Sequence, residues 1–149
     1  MDIRKKKRWF LLIAVVIWLI WFYSRPQISL NEAVPELDIA SIHYVYITNG
    51  RIVELDDMRV EETERLISIL DSLAMKKKII PNIPAFNDDA RIWFNAANTE
   101  GNYEIRIDYK RNIIGITEYP KMMKQYILED SSDLFSFVQN HIKNAKVVD

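Results

Sequence analysis

The side chains best equipped for chemistry are few. His43 and His141 are the only imidazoles, and no cysteine accompanies them. A helical zinc site places a second ligand four residues along, and neither histidine has one there. The absence of cysteine also excludes disulfides, thiol catalysis, thiolate metal centres and lipid attachment at a lipobox cysteine. Glu54, Asp56 and Asp57 form one acidic group, Asp88 and Asp89 another. Both lack the alternating oxygen ligands and central glycine of a calcium loop, so they read as helix caps and turn formers. Ser131 and Ser132 precede a helical stripe without a G-x-S-x-G elbow, and Gly50, Gly101 and Gly115 each stand alone, which rules out a glycine-rich phosphate loop. The pattern points to no catalytic, cofactor or metal site, and hence to a protein that is not an enzyme. The rival reading is an envelope enzyme built on the Asp56 and Asp57 pair, which requires one acid with a raised pKa in a cleft.

Aromatic residues offer binding chemistry instead. In RIWFNA, Ile92, Phe94 and Ala96 make an inward set for a strand, leaving Trp93 to face outward beside Arg91 and Asn95. An outward tryptophan on a strand is a frequent anchor for partners. Tyr44 and Tyr46 belong with it as candidates, although either face of their strand can be the inner one.

Elements that position these residues follow from periodicity. Ile39 to Thr48 is rich in Ile, Val and Tyr, and Asn49-Gly50 predicts a hairpin into Arg51 to Leu55. The spacing of Leu66, Ile67, Leu70, Leu73 and Ala74 predicts a helix over Arg59 to Met75, with Glu61, Glu62 and Glu64 near its positive end. Lys76 to Ala90 reads as a crossing loop with a short strand at Ile79 and Ile80. Strands are predicted at Arg91 to Ala97, Tyr103 to Tyr109, Ile113 to Tyr119 and Met122 to Leu128. In the second of these Glu104, Arg106 and Asp108 form the wet face. A final helix over Asp133 to Asn144 carries an apolar stripe. The expected fold class is α+β, an N-terminal transmembrane helix followed by an antiparallel sheet with two helices packed on one face.

The N-terminus sets the predicted topology. Trp9 to Tyr23 is a fifteen-residue apolar and aromatic run behind the basic cluster Arg4 to Arg8. As a helix the run spans about 22 Å against a hydrocarbon layer of about 30 Å, so flanking basic side chains must snorkel or the bilayer must thin. No small-residue cleavage site follows it, which favours a retained signal-anchor. Residues 1–25 carry a net charge of +5, and the whole chain only −1, so the remainder is −6. The positive-inside rule then predicts residues 1–8 as a cytoplasmic tail, 9–23 as an anchor in the lipid bilayer, 24–37 as a tether of about 45 Å reach, and 38–149 as an extracytoplasmic domain. An acidic domain with scattered Lys and Arg is not expected to bind nucleic acid.

This layout of a tethered Ile/Tyr-rich strand, an acidic-capped helix, a strand meander and a final apolar helix resembles small membrane-anchored or lipoprotein domains of unknown function from Gram-positive bacteria. Over Ile39 to Lys143 the helix-plus-four-strand plan also resembles the repeat unit of the beta-lactamase inhibitor protein family. That resemblance implies binding of proteins through an exposed sheet face, and it transfers no site residue. The functional expectation is a membrane-anchored extracytoplasmic binding or regulatory domain with a protein or cell-envelope partner on the open face. A structural subunit of a membrane complex, with the anchor itself as the binding element, is the third reading.

Overall fold

The computed structural model describes residues 3–49, 58–79, 86–97 and 101–144, without the side chains of 3–6, 22 and 23. The helices are α1 (Ile3–Tyr23), α2 (Leu30–Ala33), α3 (Val60–Asp71) and α4 (Ser132–Asn144). The strands are β1 (Ile42–Thr48), β2 (Met75–Lys77), β3 (Ala90–Ala96), β4 (Asn102–Asp108), β5 (Ile113–Glu118) and β6 (Lys124–Leu128). The fold is α+β, with an antiparallel six-stranded sheet in the order β1-β3-β4-β5-β6-β2. The predicted hairpin partner at Arg51 to Leu55 lies outside the described residues, as does Ile80 of the predicted short strand.

One sheet face builds the core. Ala90, Ile92 and Phe94 of β3 stand opposite Ile107, Ile105 and Tyr103 of β4, and Ile105 and Ile107 stand opposite Ile116 and Ile114 of β5. All eight side chains are buried, and they form one cluster with Leu66 and Leu70 of α3 and Leu134, Phe137 and Val138 of α4. Period-two burial in the strands and the 3.6-residue stripe in the helices thus meet in one layer interface. Complete burial of each such aliphatic side chain contributes roughly 1.5–3 kcal/mol.

The segment expected as a tether is instead part of this core. Ser29 accepts a hydrogen bond from Glu32 N while the Glu32 carboxylate accepts from Ser29 N, a capping box that folds α2. Leu30, Ala33, Val34 and Leu37 are then buried against the sheet layer. Two prolines masked this in the sequence, because the helix between them is a single turn with too few residues to show a period. Ile28 also exchanges both backbone hydrogen bonds with Met75, at 2.8 and 3.0 Å.

A second difference concerns the first core helix, which ends at Asp71 rather than Met75. Ser72 caps it, and Met75 enters β2 fully buried, paired with Leu128 on one side and bridged by Ile28 on the other. Two strand-like neighbours outweigh one more turn of helix, which only placement in the fold reveals.

The N-terminal helix forms as the apolar run suggests, but among the described residues no helix is long and apolar enough to cross a membrane. The physical reason is the shortness of the apolar run and the basic cluster that fills the first turns of α1. From Trp9 to Trp21 its large side chains are exposed.

Candidate functional site

The sheet face away from the helices is organised in cross-strand rows. Tyr46 of β1 stands opposite Trp93 of β3, Trp93 opposite Glu104 of β4, and Glu104 opposite Thr117 of β5. The next row holds Thr48, Arg91, Arg106, Gly115 and Gln125. Alternation along β3 fixes this arrangement. With Ile92 and Phe94 buried on the core side, Arg91, Trp93 and Asn95 must point to the other.

A bulge in β1 settles the tyrosines. The register slips between His43 and Tyr46, and Tyr44 adopts a left-handed backbone with φ of 49°. The extra residue lets Ile42 and Val45 both reach the core while Tyr44 and Tyr46 are both left exposed. Simple alternation from Ile42 would have sent both tyrosines to the core side together. Trp93, Tyr44 and Tyr46, the three candidates from the sequence, therefore come together. They line a shallow groove of about 510 Å³ with Asn95, Asn102 and Tyr119.

Tyr119 closes one wall of that groove. It follows β5, and its backbone N–H donates to Asn102 O at 3.0 Å, which carries the pairing one residue past the strand. Its ring stacks on Trp93 with centroids 5.7 Å apart and planes 14° from parallel. Its hydroxyl donates to Glu104 Oε2 at 3.0 Å.

Under the aromatic surface lies a charged cluster. Glu104 is fully buried, with Arg106 Nε 2.9 Å from Oε2 and Arg91 Nη1 3.6 Å from Oε1. Asp88 pairs with Arg91 and lies 3.9 Å from Arg106. Burial pulls the Arg106 guanidinium down, but the bond to Glu104 and the charges of Glu104 and Asp88 outweigh it and hold it above its ordinary value. Two cations and two anions balance in this cluster. Glu104 has no exposed surface and so is closed off from the groove.

Other chemistry-bearing residues fall into structural settings. Asp108 is fully buried and accepts from Asn87 N at 3.0 Å, Arg111 N at 3.1 Å and Arg111 Nη1 at 2.7 Å. Burial pushes its carboxyl up, yet these bonds outweigh burial and hold it below the usual carboxylate range. Asp89 accepts from Tyr109 N at 2.9 Å and fastens the same turn. The expected wet face of β4 fails for two of its three residues, since Glu104 and Asp108 are both inside the fold.

His43 Nδ1 lies 3.1 Å from Ser41 O. His141 Nδ1 lies 4.0 Å from Glu62, and burial lowers its pKa against the pull of that carboxylate. Ahead of α4 the carboxylate of Asp130, rather than a serine hydroxyl, accepts from Ser132 N at 3.0 Å, while Ser131 Oγ donates to Asn112 Oδ1. Glu54, Asp56 and Asp57 lie outside the described residues. Among the described residues no three His, Asp or Glu side chains gather as a metal site.

Sequence reasoning missed Asp88, Glu104, Arg106 and Tyr119 as parts of the site. Their charges were visible, but the register that sets Trp93 beside Glu104 was not, and Tyr119 gave no signal beyond preceding Pro120. Family models, curated proteins and solved structures were each compared with the chain, and none matches it.

Proposed function

We propose that this chain is a membrane-held binding domain that engages a protein or cell-envelope component through the aromatic groove of its open sheet face. The observation that carries the reading is the convergence of Tyr44, Tyr46, Trp93 and Tyr119 on one surface that the helices leave uncovered. Rigid aromatic rings offer large contact area at little entropic cost, and arginines beside them add to the composition typical of interface anchors. The charged cluster beneath holds Trp93 and Tyr119 in place, so little ordering is left for the moment of binding.

Membrane attachment by α1 is the second part of the reading. A helix with Trp9, Phe10, Leu11 and Trp21 exposed needs a cover, and lipid supplies one along its length. The basic side chains before Trp9 can snorkel to extend a short apolar span, and their charge favours the cytoplasmic side. The acidic remainder of the chain then belongs outside.

The test is photo-crosslinking from a benzophenone amino acid at Tyr46 in membranes of the cells that make the protein, with Ser68 on α3 as the control position. A discrete adduct from position 46, absent from 68 and lost on Trp93→Ala, supports the groove. Equal labelling from both positions contradicts it.

A further inference from the structure

The chain leaves α1 along an edge of the sheet. Ser24 N still bonds to Ile20 O at 2.9 Å, and four residues later Ile28 is bridged to Met75 at the start of β2. Between these points the Arg25 guanidinium lies 5.7 Å from the centre of the Trp21 ring and donates to Lys77 O at 2.9 Å. Arg25 therefore links the last exposed indole of the apolar run to the backbone of an edge strand.

That edge carries Lys76, Lys77 and Lys78 in succession. Lys76 is paired with Glu129. Lys77 and Lys78 make no ion pair among the described residues. An indole at the end of a membrane helix lies at headgroup depth. The backbone of Lys77 is two contacts from it, through Arg25, and surface charge is felt within a Debye length of roughly 8 Å.

We propose that Arg25 and the β2 edge, through Lys77 and Lys78, seat the domain directly on anionic lipid headgroups of the leaflet from which α1 emerges. This rests on the reading of α1 as the membrane anchor. Charge selects the orientation. Residues 26–149 carry a net −6, so an anionic surface repels the body of the domain and attracts this edge. Each lysine near such a surface is worth roughly five-fold in binding. A free tether would let the domain turn, whereas the Arg25 bond and the Ile28 bridge remove that pivot and hold the aromatic groove in one attitude to the membrane.

The test uses the full chain in lipid nanodiscs, with gadolinium-bearing lipid broadening the amide resonances of residues near the surface. In discs containing phosphatidylglycerol the amides of Met75–Lys78 are expected to broaden strongly and those of α4 much less. Lys77→Glu with Lys78→Glu is expected to cut the seated population roughly ten-fold or more. Equal broadening in phosphatidylcholine discs, or none lost in the double variant, overturns the lipid seat while the chain remains in the discs. A chain that does not enter the discs overturns the anchor reading and this proposal together.

Discussion

Trp93 and Tyr119 stack at 5.7 Å, and the hydroxyl of the same tyrosine donates to the buried carboxylate of Glu104. One side chain thus ties the groove surface to the charges under it. Tyr119→Phe keeps the stack and removes a hydrogen bond to a charged acceptor, at a cost of about 1.5–3 kcal/mol. Tyr119→Ala also loses the ring contact, worth about 0.5–1.5 kcal/mol more. Urea unfolding of both variants measures the two increments, and equal midpoints for Tyr119→Phe and the parent would refute the bond to Glu104.

Arg106 and Arg91 should not be equivalent. Arg106 Nε is 2.9 Å from Glu104 and Arg91 Nη1 is 3.6 Å away, while both arginine side chains keep about a third of their surface in solvent. Replacing Arg106 with Met strands a fully buried carboxylate, and an expected loss of about 2–4 kcal/mol follows from the cost of an unpaired interior charge, reduced by the Tyr119 bond. Arg91→Met is expected to cost less, about 1 kcal/mol, because Arg106 and Tyr119 still hold Glu104 Oε2. Thermal unfolding ranks the pair, and the reverse order contradicts the geometry.

Gly115 is required by its neighbour rather than by its backbone. A methyl group there would collide with Met123 Sδ, the side chain that lies over this part of the open face. Gly115→Ala is expected to destabilise by about 1–2 kcal/mol as the thioether is displaced. Because methionine is flexible, Met123→Ala in the same chain should return part of that loss. Additive losses in the double variant would show that the two residues do not touch.

One partly buried and one fully buried group impose separate pH dependences. The lowered pKa of His141 means that the unfolded chain protonates first as pH drops below about 6.5, so stability declines from there down through the folded value. His141→Gln should remove this slope. Asp108 is also depressed, and its contribution is complete above the ordinary carboxylate value of 3.8 and lost as pH falls through the folded value. Asp108→Asn should weaken the fold at neutral pH and flatten the acid limb. Denaturation midpoints across pH 2–8 separate the two effects.

The four meander strands and the final helix were legible to within about two residues, because alternation and the 3.6-residue stripe reflect burial on one side only. Trp93 could be aimed outward for the same reason. Tyr44 and Tyr46 could not, since the bulge at Tyr44 breaks the alternation that would have assigned them. Glu104 and Asp108 were misread as solvated because burial of a charge depends on partners from other strands or turns. Arg91, Tyr119 and Asn87 are such partners, and one strand's pattern does not contain them. Leu30 and Met75 show the same limit, each buried by a contact far away in sequence.

The membrane attachment of α1 is tested most directly by fractionating cells that express the full chain with a tag at each end, washing the membranes at alkaline pH and treating intact spheroplasts with protease. The full-length chain is expected to stay with the washed membranes, with the C-terminal tag digested from outside and the N-terminal tag protected. Release of the chain by the wash, or protection of the C-terminal tag, would contradict this reading of α1.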